Sequence, residues 1–282
     1  MAFQELRRVL PSPLPGCLVL QMSGARSYPR HSHDQHGIGL IERGGQRSAS
    51  GRGPVEARAG ELITVNPGEV HDGRALDAQG RQWRMLYLEP ALFEACGAAL
   101  RPQLGEVPLT PPVLAHAGLR RALQRLFMAM EQGAAPSALL LETLLLESLA
   151  QLLPACGALA QHSRAAAPLE MARARERLLA DPQRAPGLDE LAQASGLGRY
   201  QLLRSFARAY GLPPHAYLLQ HRLALARRLI ARGTGLAEAA GAAGFADQSH
   251  MHRAFVRCLG FTPGAYRAAI SFKTARHPSA SI

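Results

Sequence analysis

Two short stretches of this 282-residue chain bring together side chains that could do chemistry. The first is "HSHDQH", which holds His31, His33 and His36; His71 follows in "NPGEVH". Imidazoles at alternate positions share one face of a strand. Three of them, or two with a carboxylate, make a site for a divalent transition metal, and an open coordination position would make it catalytic. The second stretch is "GFADQSHMHRAF", residues 244–255. Its Gln248 and Arg253 are the residue types that hydrogen-bond adenine and guanine edges in pairs. His250 and His252 lie two residues apart, hence on different faces of a helix, which argues against a shared metal.

Composition narrows the classes. At 47% hydrophobic residues the chain can build real cores, so global disorder is excluded. Its length suits two domains. Cys17, Cys96, Cys156 and Cys258 are far apart with no CxxC pair, so neither a disulfide framework nor a zinc finger is expected. Residues 1–10 mix Glu5 with Arg7 and Arg8 and lack the apolar stretch of a signal peptide. No run is read as approaching the roughly 20 apolar residues of a membrane span. The expectation is a cytoplasmic protein without a membrane partner. The net charge of +11 is unevenly placed. Residues 1–160 carry fifteen basic and fourteen acidic side chains, residues 161–282 seventeen and seven. A basic domain joined to a neutral one points to a polyanion partner for the basic half.

The elements that must position these residues follow from patterning. From residue 16 to about 89, apolar runs such as "GCLVLQM", "ELITV" and "QWRMLYLEP" alternate with turn-like "ERGGQ", "GRGP" and "NPGEV". Short strands at this spacing predict a small β-barrel or sandwich. Residues 116–132 and 137–153 read as helices. The second has one narrow polar stripe (Glu142, Thr143, Glu147, Gln151) and leucine nearly everywhere else, a wider apolar arc than one packing partner needs. It is therefore expected to dimerise. Residues 154–167 read as a linker, and helical patterns continue from there to about 270.

The C-terminal part repeats itself. Residues 191–217 align with 239–266: Gly196 with Gly244, Leu202 with Met251, Arg204 with Arg253, Phe206 with Phe255, Gly211 with Gly260, Tyr217 with Tyr266. Each copy has the form of a helix-turn-helix, with glycine taking the left-handed turn and an i,i+4 apolar pair facing the core. Asp247 is a strong N-cap type; Gly198 is a weaker one. The outward residues are then Arg199, Tyr200, Leu203 and Arg204 in the first copy and Gln248, Ser249, His252 and Arg253 in the second. Recognition helices read the major groove with such N-terminal turns. Their expected partner is double-stranded promoter DNA.

With these motifs in place, the chain resembles the AraC/XylS family of transcriptional regulators. "GFADQSHMHRAFVRCLGFTPGAYR" is similar to that family's second helix-turn-helix, and "YLLQHRLALARRLI" to its connecting helix. The resemblance implies an α+β multidomain protein. A cupin-like β-barrel at 14–112 senses a small molecule, and a helical dimerisation element spans 113–153. Beyond the 154–167 linker lies an all-α DNA-binding domain at 168–271, with motifs at 188–210 and 236–259. It also implies a homodimer that contacts RNA polymerase, most often as an activator. Gly198, where the family often has Ser or Thr, and apolar Leu203 imply fewer base hydrogen bonds from the first copy.

In metal-binding cupins an HxH pair, a nearby carboxylate and a later histidine hold one ion. Here His36, Gly37 and Ile38 stand where the carboxylate is expected, and Asn66 stands where proline is usual. The reading is a metal-free effector pocket, without a cofactor, lined by His31, His33, His71, Trp83 and Tyr87. The rivals are a cupin-type metalloenzyme with an appended nucleic-acid-binding domain, and a non-specific architectural DNA binder.

Overall fold

The computed structural model describes residues 3–100, 108–131, 137–157 and 167–271, which fold into two compact units. The first is built on an antiparallel sheet. The strands of the chain are β1 (Leu6–Leu10), β2 (Cys17–Gly24), β3 (Tyr28–His31), β4 (His36–Ser50), β5 (Gly53–Arg58), β6 (Leu62–Val65), β7 (His71–Ala75), β8 (Arg81–Leu88) and β9 (Val113–Leu114), of which all but β3 belong to this unit. The main path runs β1-β2-β8-β4-β6-β9, with β5 and β7 also paired to β4. Three helices accompany it: α1 (Pro90–Leu100), α2 (Ala117–Glu131) and α3 (Ala138–Gly157). The sheet begins earlier than the expected bound at residue 14, because β1 pairs β2 from Leu6↔Ser23 to Leu10↔Val19 and buries Leu10. Helix α1 was not delimited by periodicity; it buries only Phe93 fully.

β8 is the centre of this unit, paired to β2 from Cys17↔Leu88 to Gly24↔Arg81 and to β4 on its other side. Alternate side chains leave a strand on opposite faces. Leu86 and Leu88 join Val19, Ile38, Leu40 and Leu62 in a core with the helices. Helix α2 gives it Leu119, Leu123, Leu126, Phe127 and Met130, the spacing the sequence predicts; α3 gives Leu141, Leu145, Leu149, Leu152 and Leu153. Each such buried side chain contributes about 2 kcal/mol. Arg84, on the same face, is buried but neutralised by Glu42 of β4 and by Glu131 of α2 at 3.0 Å, and its guanidinium lies 4.8 Å from the Phe127 ring centre. The other face of β8 carries Arg81, Trp83, Met85 and Tyr87, all buried.

Helix α3 corrects two expectations. It runs past 153 to Gly157 with Pro154 inside it. Proline suits helical φ but lacks an amide donor and crowds the carbonyl one turn earlier; the helix nonetheless continues, with Cys156 fully buried and its carbonyl accepting from Thr110 Oγ1 at 2.8 Å. The span Ala138–Cys156 is also long and apolar enough to cross a membrane by length and composition, which the sequence reading denied. One face of its leucines is packed into the core, whereas Leu139 and Leu140 are exposed. Of the proposed linker, residues 158–166 lie outside the described residues.

One polar hub closes the sheet against the segment that follows α1. Arg52 donates from Nε to Glu69 (2.7 Å), to the carbonyls of Leu109 (2.6 Å) and Thr110 (3.0 Å), and to Thr64 O (2.7 Å). Asn66, the residue that departs from the cupin pattern, exchanges hydrogen bonds with the Leu109 backbone (2.8 and 3.0 Å) and donates to Glu69. Burial raises the Glu69 pKa, but hydrogen bonds from Ser50, Arg52 and the Asn66 amide, with the Arg52 charge, outweigh it and hold the carboxyl below its usual range.

The second unit is helical: α4 (Leu169–Leu179), α5 (Leu188–Ser195), α6 (Arg199–Tyr210), α7 (Pro214–Ala231), α8 (Leu236–Ala242) and α9 (Gln248–Leu259); α10 (Pro263–Ser271) follows in the chain and groups mostly with the first unit. Met171, Ala174, Leu178, Leu191, Leu202, Phe206 and Leu218 form the core around α4–α7, to which Phe206, Tyr210 and Tyr217 add three ring contacts at 4.7–5.6 Å.

Removing the hub cation leaves a buried carboxylate and three carbonyls short of a donor. Arg52→Ala is expected to cost about 3 kcal/mol, read as a lowered denaturation midpoint of the full-length protein. Because the folded pKa of Glu69 is depressed, the part of stability linked to it is present above about pH 4.5 and fades as pH falls below that.

Candidate functional site

The helical unit contains the same device twice. Helix α5 ends at Gly196, whose φ is +67°, and α6 follows; α8 is followed by Gly244, φ +83°, and then α9. Positive φ strains every residue but glycine. At Gly244 a side chain would also strike the Pro182 carbonyl oxygen, 1.8 Å from where a Cβ would stand. The caps differ as the residue types predict. Asp247 accepts from the His250 amide at 2.6 Å, whereas Gly198 supplies no side-chain cap.

The two second helices divide their faces cleanly. In α9, Met251, Ala254, Phe255 and Cys258 are buried, while Gln248, Ser249, His252 and Arg253 are all exposed. His250 is set apart from His252: its ring packs edge-on to Phe245 at 5.3 Å. In α6, Leu202 and Phe206 are buried; Arg199, Tyr200 and Arg204 are exposed, Tyr200 at 85%, and Leu203 is half-buried. Sequence reasoning missed the partner of Arg199, which forms a two-pronged pair with Asp189 of α5. Both side chains are largely exposed. Such a pair is worth no more than about 1 kcal/mol.

His31 and His33, which group with the helical unit, are buried and stand edge to face at 4.8 Å. His31 Nδ1 is 2.7 Å from Pro29 O, and His71 Nδ1 is 2.9 Å from Glu69 O. Carbonyls only accept, so both Nδ1 atoms carry the proton. Burial lowers the His71 pKa, although the Glu69 carbonyl and the charges of Glu69 and Asp72 oppose it. His36 stacks on Phe93 at 4.0 Å, and burial pushes its pKa down to about 4. Trp83 and Tyr87 share the inner face of β8: the Arg81 guanidinium lies 4.3 Å from the Trp83 ring centre, and Tyr87 closes over Gly37. Arg81, only 1% exposed, was not singled out from sequence; its place on the same strand face as Trp83 was the available signal.

Comparison with known proteins matches each unit separately. The AraC-like ligand binding domain matches residues 16–149, and a helix-turn-helix domain matches 191–269. The chain belongs to the AraC family of transcriptional regulators. It is similar to the HTH-type transcriptional regulator YbfI of Bacillus subtilis, 29% identical over 228 residues, 80% of this chain and 82% of YbfI. It is also similar to the RCS-specific activator RclR of Escherichia coli, 32% identical over 96 residues, 34% of each chain. In fold it resembles ToxT of Vibrio cholerae, with TM-score 0.53 and 14% identity over 92% of this chain and 99% of that one. This AraC-family regulator thus joins an N-terminal ligand-binding domain to a helix-turn-helix DNA-binding domain. The metalloenzyme alternative draws no support from these relatives.

Three substitutions have expected outcomes for the regulator. Asp247→Ala should cost about 1 kcal/mol of stability through the lost cap. Gly244→Ala should cost more, since φ and space both oppose it; thermal unfolding of the two variants gives the order. Because the folded pKa of His36 lies below its ordinary 6.5, its contribution is present above that value and lost as pH falls toward about 4. His36→Phe, which keeps a ring against Phe93, should flatten the pH dependence of unfolding between pH 6.5 and 4.

Proposed function

We propose that this regulator is a sequence-specific activator that reads promoter DNA through α9 and α6 under the control of a small molecule in its N-terminal domain. The observation that carries this reading is the α9 surface. Gln248, Ser249, His252 and Arg253 are exposed together on a helix whose opposite face is locked into the core. Gln and Arg supply paired hydrogen bonds to base edges; Arg199, Tyr200, Leu203 and Arg204 on α6 supply mainly backbone and methyl contacts. The basic balance of residues 161–282 adds the sequence-independent part of affinity.

The protein acts by binding and not by catalysis, in the cytoplasm, and its output is contact with RNA polymerase. Within the expected dimerisation element, residues 113–153, the exposed Met128, Leu139 and Leu140 supply an apolar surface for a second copy. His31, His33, His71, Trp83 and Tyr87 border the effector site. ToxT has been solved bound to an unsaturated fatty acid, and we take a small molecule to occupy the corresponding domain here. Such a ligand shifts activity only by binding the DNA-competent arrangement with a different affinity from the other.

Mapping the genomic binding sites of the full-length protein supplies the cognate sequence for the decisive test. Arg253→Ala should weaken binding to that site by about 1–3 kcal/mol while leaving binding to random DNA nearly unchanged, measured by competition at fixed salt. Equal losses on both DNAs would overturn base reading by α9 and favour an architectural binder.

A further inference from the structure

We propose that Asp189 is a positioning residue that holds Arg199 to read a guanine in the DNA bound by the first helix-turn-helix. The inference rests on the reading that α6 faces DNA, and adds one base contact to its mainly backbone and methyl contacts. Arg199 is the first residue of α6, and Asp189 lies in the first turn of α5. Arg199 donates from Nε and Nη2 to the two carboxylate oxygens of Asp189. Those two atoms form the side edge of the planar guanidinium. The outer fork of Nη1 and Nη2 keeps its parallel N–H donors. That fork matches O6 and N7 of guanine in the major groove. Both backbones are anchored, since Leu191 and Ala192 of α5 and Leu202 and Phe206 of α6 are buried in one core. The two side chains are largely exposed, so the pair adds little to folding. What it fixes is the orientation of a long side chain before DNA arrives, which lowers the ordering cost of the contact.

Phosphate is the competing acceptor, and two observations disfavour it. The Asp189 charge beside the guanidinium offsets its attraction for a phosphate. A guanine edge carries no net charge and asks only for donor geometry. The neighbouring acid, Glu190, is committed to Arg177 of α4. The second motif gives an internal comparison. In the register of Gly196 with Gly244, Asp189 corresponds to Ala237; in that of Leu202 with Met251, Arg199 corresponds to Gln248. Gln248 is likewise the first residue of its helix, and exposed. Its neutral amide needs no counter-charge, and there the acid is absent as well. The two motifs thus carry a base-reading residue type at the same position, and only the charged one has a carboxylate beside it.

The test selects sites for the full-length protein from a randomised DNA duplex pool. One position with a guanine preference should lose it in Arg199→Ala, while the preferences set by α9 persist. Asp189→Asn should cut the same preference roughly tenfold. It should also raise affinity for random DNA, with a salt slope steeper by about one as the released arginine meets a phosphate. Asp189→Glu, which keeps the carboxylate, should retain most of the preference. A carboxylate with a merely structural role would instead lower binding to every DNA together. With the unaltered protein, a guanine analogue lacking N7 at that position should weaken binding several-fold, and Arg199→Ala should be indifferent to it. Arg199→Ala without effect on any DNA would overturn both the inference and the placing of α6 on DNA. Equal losses on selected and random DNA would make Arg199 a phosphate contact. That result, an unchanged guanine preference in Asp189→Asn, or full tolerance of the analogue by the unaltered protein would overturn the inference alone.

Discussion

The two-sidedness of β8 is the constraint on which the N-terminal domain depends. A strand cannot place neighbouring side chains on one face. Leu86 and Leu88 therefore commit one side to α2 and α3, and Trp83, Met85 and Tyr87 are left to the other. A slip of one residue against β2 or β4 would exchange the two sets. The buried Arg84, held by Glu42 and Glu131 on two different elements, opposes that slip, because its charge has no second place where both partners are met. The helices can then provide the stabilising core from one face and leave the other face of β8 to a separate set of side chains.

The DNA-binding domain rests on a different economy of means. Its two copies share turn glycines and buried apolar pairs, yet they are not equivalent. One second helix is capped by Asp247 and shows four polar side chains. The other begins at an uncapped Gly198, with its first arginine held by Asp189. Affinity and discrimination can thus be drawn unequally from two parts of nearly identical shape.

How much of this was legible in the sequence depends on the range of the cause. The helix-turn-helix motifs were readable because turn, cap and i,i+4 pair are local and occur twice. Helix α2 was readable from its period. The end of α3 was not, because Pro154 is a local stop signal overridden by the burial of Cys156 and the Thr110 hydrogen bond. The Arg52 hub joins positions 52, 64, 69 and 109, and no spacing rule links them. The histidines were visible as residue types. Their sorting was not: His31 and His33 stand edge to face with each other, while His36, only three residues on, turns to Phe93.

The glycines of β4 carry a consequence for how such a sensor changes its taste. A Cβ on Gly37 would press on Tyr87 and Met85, and one on Gly39 would stand 2.3 Å from the Met85 sulfur and 2.6 Å from Ile63 Cγ1. The space above this strand is therefore contoured by long side chains reaching across from β8 and β6, and methionine among them is the most adaptable of apolar residues. The inner relief of the domain is written in rotamers over a bare backbone. A lineage can recarve it by exchanging those few side chains while every hydrogen bond of the sheet, and the register that protects it, stays as it is.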